Sequence, residues 1–382
     1  MIKNYFKIVL RGLWKQRVFT FLNVLGLTTA FGATILLSVY ALHQLSYDRF
    51  HEYADRLYQV NMTWQTPKGT EVGTSQPTPL AETLKDEVSG IANISRVLEV
   101  DALTVYEEKE INLDAVFVDS DFFRMFSFPI LNGDKENPLI DLSSVVISEE
   151  TADKLFEDEN PIGKSVTILI NGKQEPVIVS GISANLPTQS SISYDIAIRF
   201  EKNPEYEVTK QRWGAQYHEV YVQLDEQVAP EVFEKNSRDF TNRHYASSIE
   251  SLKRDGALPN TNGDYLQLGL LPITDLLFVS YDKGYVEVSR MKVNIIIIVI
   301  FLIALIACVN YVNMSIAKSS KRLREIGVRK TLGANKRQLF FQFWMESAVV
   351  FLISIGFGIL LSVLLFDSFR TLFRTDATFE VL

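Results

Sequence analysis

The stretch "KSSKRLREIGVRKTLGANKRQ", residues 318–338, carries eight Lys or Arg against one acid, Glu325. It lies between two windows free of Asp, Glu, Lys and Arg. One is 293–317, 25 residues between Lys292 and Lys318; the other is 347–366, 20 residues between Glu346 and Asp367. A third such window, 18–47, runs 30 residues between Arg17 and Asp48. A bilayer's hydrocarbon core of about 30 Å is crossed by about 20 apolar helical residues. All three windows therefore predict transmembrane helices. The first is too long for a cleaved signal peptide and no small-x-small site follows it, so it reads as a retained anchor.

Charge then orients the chain. Residues 1–17 hold five bases and no acid, and 318–345 hold eight bases and one acid. Residues 48–291 hold 22 bases and 41 acids, a net of −19. Short basic segments stay in the cytoplasm. The N-terminus and the basic wedge are expected there, with the acidic block and the tail after the third window outside. The fold class that follows is an α-helical membrane protein of three spans, with a large α+β extracytoplasmic domain inserted between spans one and two. The expected boundaries are an interfacial amphipathic helix at 1–17, spans at 18–45, 292–317 and 346–367, and an exterior domain at 46–291. A cytoplasmic helix–turn–helix is expected at 318–345 and an exterior tail at 368–382.

The lone cysteine, Cys308, falls in the second span, so no disulfide framework holds the exterior block, which must fold on its own core. Within it, "TILINGKQEPVIVSGI" (167–182) alternates around Asn171-Gly172, a hairpin signal. Residues 149–163 read as a short helix ending in a turn, 218–224 as a strand and 230–246 as a helix. The polar run 201–211 reads as a joint between subdomains. Small residues in the first span, including Gly26 and Gly32, predict close helix approach. The absence of ionisable groups deep in the spans argues against an ion-coupled transporter.

Several chemistries are not expected. "PIGKS" (161–165) lacks the first glycine of a phosphate-binding loop, since Asp158 holds that place, so it reads as a turn. His43, His51, His218 and His244 show no ligand spacing and read as surface or hydrogen-bonded histidines. Asp119 and Asp121 could pair, but acids are abundant. No nucleophile–base cluster is visible, so no catalytic, cofactor-binding or metal residue is assigned. The wedge is too short for a nucleic-acid-binding fold, and lipid phosphates account for part of its charge.

The wedge reads as helix, Gly333-Ala334-Asn335 turn, helix. Glu325–Arg329 supports the first helix, and Asn335 with Gln338 caps the second. A solvated loop needs no such geometry; a part that docks on a protein does. "RLREIGVRKTLGANKRQLFFQFWMES" (322–347) resembles the cytoplasmic segment of the FtsX/MacB family of ABC transporter permeases. The fitting positions are Arg322, Glu325, Ile326, Gly327, Arg329, Gly333, Ala334 and, at the membrane edge, Glu346. The stretches "SYDRFHEYADRLYQV" (46–60), "VDSDFFRMFSFPILNGD" (118–134), "VVISEETADKLFEDENPIGKSVTI" (145–168), "VSGISANLP" (179–187) and "LLPITDLLF" (270–278) resemble the family's periplasmic core domain.

The resemblance implies a permease of the bacterial inner membrane that relays ATP-driven motion to the periplasmic side without a substrate tunnel. Arg322, Arg324, Glu325, Ile326, Gly327, Arg329, Lys330, Gly333 and Ala334 would contact an ABC ATP-binding subunit of MacB or LolD type. That subunit would hold the ATP and Mg, leaving this chain without cofactor or enzymatic activity. The implied further partners are a second permease module or a homodimer mate, membrane lipid and a periplasmic adaptor, with no nucleic acid. The family's module has a fourth span, and this chain ends 16 residues past its third window, so it reads as a first or shortened module. A membrane-anchored extracytoplasmic sensor is the other reading. The short gap before a third span weighs against it, because a receptor would continue into a signalling domain.

Overall fold

The structure, a computed structural model, describes residues 11, 13, 14, 17–157, 159–279, 289–317, 327, 328, 331 and 336–379. The chain divides into two units, Met1–Leu45 with Val288–Leu382, and Ser46–Glu287.

Three long helices make the first unit: α1 (Arg17–Leu45), α8 (Arg290–Ala317) and α9 (Lys336–Phe373). All three are long and apolar enough to cross a membrane. The last ten residues of the basic wedge, 336–345, and the third window are thus one helix. At about 1.5 Å per residue its 38 residues run about 57 Å, well beyond a bilayer core. Of the expected interfacial helix, only Arg11, Leu13, Trp14 and Arg17 fall among the described residues. They are helical, with Leu13 buried beside Leu27 and Trp14 exposed. Beyond Phe373 the tail folds back: Ala377 is buried, and the Phe379 ring stacks on Phe366 at 4.2 Å.

The second unit is a 12-stranded sheet with short helices. In chain order it holds β1 (Leu57–Thr66), β2 (Gly69–Gly73), β3 (Gln76–Pro77), α2 (Leu80–Glu87), β4 (Ile91–Tyr106) and β5 (Lys109–Val118). Next come α3 (Phe122–Met125), β6 (Ile130–Gly133), β7 (Ser144–Ser148), α4 (Glu149–Phe156), β8 (Ser165–Ile170), β9 (Lys173–Ser183) and β10 (Ile196–Arg199). It ends with α5 (Tyr206–Thr209), β11 (Gln216–Leu224), α6 (Pro230–His244), α7 (Ala246–Arg254) and β12 (Leu266–Pro272).

The order β12-β1-β11-β4-β5-β10-β7-β9-β6 describes only part of it, because β8 pairs with both β4 and β9. The path β4-β5-β10-β7-β9-β8 therefore returns to β4 and closes a six-stranded barrel. Period-2 alternation sorts the side chains. Leu113, Ala115 and Phe117 of β5 pack with Val145, Ile168, Val177 and Ile196, while Val116 and Val118 pack on Phe122, Met125 and Phe126 of the opposite face. The open part, β12-β1-β11-β4, has its own core under α2, α6 and α7, built on Leu80, Leu84, Val220, Phe233 and Phe240.

Local readings land as their chemistry requires. β8 and β9 form a hairpin whose tip has Asn171 at φ +50° and Gly172 at φ +77°, the left-handed pair that Asn-Gly tolerates. "PIGKS" is a turn in which the Gly163 amide bonds Val179 O at 2.8 Å and Lys164 Nζ reaches Tyr106 Oη at 3.0 Å.

Candidate functional site

Of the residues expected to meet the ATPase, Arg322, Arg324, Glu325, Ile326, Arg329, Lys330, Gly333 and Ala334 lie outside the described residues, as does the turn at Asn335. Gly327 is helical and exposed, with open space where a Cβ would stand. Glu346 sits half-buried on α9. What the structure does place are the elements through which a docked wedge could act.

Within the helical unit, α1 and α9 cross on small residues. A Cβ on Gly358 would stand 2.8 Å from Phe31 Cβ and 3.3 Å from Gly32 N. A Cβ on Gly32 would stand 3.1 Å from Leu361 Cδ2. Thr28 Oγ1 donates to Ser354 O at 3.5 Å. In lipid, where burying apolar surface gives no drive, such close approach is what holds helices together. Val349 and Val350 of α9 join Leu27 in the small core of this unit. By contrast, α8 buries only Val293 among its 28 residues. The geometry makes α1 and α9 a tight pair.

Within the sheet unit, the segment that follows α1 is fastened by a buried carboxylate. Asp48 is fully buried at φ +56°. Its Oδ1 accepts from Ser191 N at 2.8 Å, its Oδ2 from Ser191 Oγ at 2.5 Å, and its amide donates to Gln189 O at 2.9 Å. Burial pushes this carboxyl up to about 6 despite the two hydrogen bonds from Ser191. Three residues on, His51 is buried against Phe50, Phe126 and Phe128 and accepts from Ser127 N through Nδ1 at 3.1 Å. Burial pulls it down to about 4.

The second buried charge was not visible in the sequence. Ile94, Arg96, Leu98, Val100 and Ala102 share one face of β4. Ile94 belongs to the open-sheet core, whereas Ala102, with Leu98 and Val100 packed beside it, belongs to the barrel core. Arg96, 2% exposed, stands between them. Its Nη2 and Nε reach Asp119 at 2.6 and 3.0 Å, Nη2 lies 3.3 Å from Glu82, and the guanidinium lies 4.2 Å from the Phe200 ring centre. Burial works against this charge, but Asp119, then Glu82, keep it protonated above its ordinary range. Asp119 therefore pairs with Arg96, not with Asp121, which takes Lys85 at 2.7 Å.

The run 201–211, expected as a joint between subdomains, lies between β10 of the barrel and β11 of the open sheet and is itself packed: Asn203 and Thr209 are buried, Thr209 shares hydrogen bonds with Thr78 and Tyr217, and Tyr206 lies by Arg96. One expectation needs correction here: the histidines are not uniformly on the surface or satisfied. His218 is 2% exposed against Phe200, neither ring nitrogen has a hydrogen-bond partner, and burial and then Arg96 pull it down to about 3. It serves as a neutral core side chain. No cluster of metal-ligating side chains occurs among the described residues.

Two families match the chain in order: the MacB-like periplasmic core domain over residues 20–239 and the FtsX-like permease C-terminal region over residues 297–381. The macrolide export ATP-binding/permease protein MacB of Pasteurella multocida is 22% identical over 334 residues, covering 83% of this chain and 45% of that protein. The uncharacterized ABC transporter permease YknZ of Bacillus subtilis is 24% identical over 301 residues, covering 75% of this chain and 68% of that protein. The chain thus spans less than half the length of the former and about two-thirds of the latter. The crystal structure of the periplasmic region of MacB from Actinobacillus actinomycetemcomitans superposes with a TM-score of 0.35 at 16% identity, covering 51% of this chain and 92% of that one.

Proposed function

This chain belongs to the MacB/FtsX-like family of ABC transporter permeases, and from that premise we propose that it couples ATP hydrolysis on a cytoplasmic partner to movement of its inserted domain outside the membrane. The observation that carries the proposal is the order of parts: a core domain of the family placed between a first apolar helix and a permease region with two more. In this reading the N-terminus and the wedge 318–345 face the cytoplasm, as their excess of Lys and Arg favours, and the acidic domain faces the periplasm across the inner membrane.

The wedge docks on the ATP-binding subunit through Arg322, Arg324, Glu325, Ile326, Gly327, Arg329, Lys330, Gly333 and Ala334. When the ATPase closes on ATP, α9 is pushed at its N-terminal end, and the glycine crossing passes that push to α1. The spans carry motion and no cargo, in keeping with their lack of charge. ATP and Mg bind only the partner, and this chain is not an enzyme. A second copy or second permease module completes the membrane unit, and a periplasmic adaptor receives the output.

The test is affinity capture of the intact protein from detergent-solubilised membranes, with the ATPase rate of the captured complex. Charge reversal at Arg322 and Arg329 is expected to release the ATP-binding subunit, or to keep it bound and abolish stimulation. Full stimulation by that variant would overturn the docking role.

A further inference from the structure

The C-terminal end of α9 carries a cleft of about 320 Å³ lined by Asp367, Arg370, Thr371, Arg374, Thr375 and Asp376. Asp367 is the first charged residue after the uncharged window 347–366. With α9 in a bilayer, the cleft therefore opens where hydrocarbon gives way to headgroups. Leu364 and Leu365, immediately before it, are exposed.

The walls of the cleft are ordered. Thr375 N donates to Arg370 O at 3.1 Å, closing the last helical turn. Arg370 Nε reaches Thr375 O at 3.5 Å, and Ala377 N donates to Thr375 Oγ1 at 3.2 Å. Arg370 and Asp376 lie 3.6 Å apart, a long ion pair. Two opposite charges in the same cleft are left over: among the described residues, neither the Arg374 guanidinium nor the Asp367 carboxylate has an ion-pair partner. Arg374 also stands at φ +48° in the left-handed position that ends a helix, where glycine is the usual occupant. The turn thereby presents a long cationic side chain on the cleft wall.

We propose that this cleft binds the headgroup of a zwitterionic phospholipid that carries a primary ammonium. Arg374 takes the phosphate as a forked donor. Asp367 takes the ammonium, aided by the negative end of the α9 dipole. Leu364 and Leu365 lie on the acyl-chain side. A choline headgroup offers no N–H to Asp367, and a glycerol headgroup offers no cation, so the site selects ethanolamine. Its volume sits at the low end of ligand sites, which run from roughly 300 Å³. The proposal rests on α9 lying in a bilayer. It does not depend on which side the cleft faces or on the ATPase, so its failure would leave the docking of residues 322–334 to be judged by its own test.

The experiment is native mass spectrometry of the full chain, released from detergent after titration with phosphatidylethanolamine, phosphatidylcholine or phosphatidylglycerol of equal chain length. The ethanolamine lipid is expected to be retained about fivefold better than the other two, the worth of one charged contact at a lipid surface. Asp367→Asn should erase that preference, and Arg374→Gln should weaken all three lipids by a similar factor. Arg374→Gly relieves the backbone, so it must lose the lipid while its thermal midpoint holds or rises, which separates binding from folding. Equal retention of the three lipids, or retention untouched by both Asp367→Asn and Arg374→Gln, would overturn the proposal. Binding of water-soluble O-phosphoethanolamine as tight as the lipid would overturn the lipid as the source.

Discussion

Replacing Asp48 by Asn should make the sheet domain more stable at neutral pH and change nothing in acid. The carboxyl stands at about 6 in the fold against an ordinary value of 3.8. At about 1.36 kcal/mol per pH unit, that difference corresponds to roughly 3 kcal/mol. Because the folded value is the higher one, the fold gains from the protonated form. The gain is complete below about pH 4 and is lost as pH rises through 6. Above that, the native domain holds a buried carboxylate that Ser191 only partly compensates. Asn keeps an oxygen for Ser191 N, presents N–H to Ser191 Oγ, and accepts the φ of +56° at least as readily as Asp. The assay is urea unfolding of the intact chain in detergent, with Trp14→Phe and Trp344→Phe in both proteins so that Trp64 and Trp213 of the sheet domain report. The variant should exceed the parent by up to about 3 kcal/mol at pH 7.5, and the gap should shrink to about 1 kcal/mol at pH 4.5, with His51 titrating alike in both proteins. A gap that is constant with pH, or a variant less stable at pH 7.5, would refute the assignment of a strained carboxylate to this position.

Other outcomes follow from the packing. Gly358→Val drives a branched side chain into Phe31, and overpacking of this kind costs about 1–3 kcal/mol; the thermal midpoint in detergent should fall, and an unchanged midpoint would mean that α1 and α9 do not cross there. Arg96→Met strands Asp119 and should cost about 3–5 kcal/mol in urea unfolding, with Asp119→Asn added to it recovering part of the loss; strictly additive losses would contradict the pairing.

The sequence and the structure meet where the determining interactions are local. Three uncharged windows carry three helices because hydropathy and length are read residue by residue. The Asn171-Gly172 tip is settled by two residues that accept positive φ. The barrel was invisible because it closes through Leu103–Leu169 and Thr104–Ile168, pairs more than sixty residues apart whose alternation does not name a partner. Arg96 escaped for a related reason. An arginine in an alternating strand reads as a solvent-facing residue, and only the barrel's position reveals that this one stands between two cores. Gly358 lies in an uncharged window beside Gly356, a small-residue signal that becomes specific only when Phe31 is known to face it. Among the expected docking residues only Gly327 is described, and neither it nor the membrane-edge Glu346 by itself reveals a docking surface.

The pairing of β1 with β12 has a mechanical meaning. The chain enters the sheet at Leu57 and leaves it at Pro272, and Tyr58 lies opposite Pro272 at the head of a seven-pair antiparallel ladder. Both leads are therefore attached at the same end of one two-strand seam. A common pull on the two leads loads the ladder as a unit and carries the domain along as a handle on a single stem. A pull that spreads the leads acts across the strands: once the Asp48–Ser191 fastening before Leu57 and the buried Ile273 after Pro272 give way, it opens the hydrogen bonds one after another from the Tyr58–Pro272 end, as a zipper parts. The domain is thus stiff toward a shared stroke and compliant toward divergence, so the difference in motion between its two leads, rather than the size of the stroke, decides whether it travels whole or starts to open.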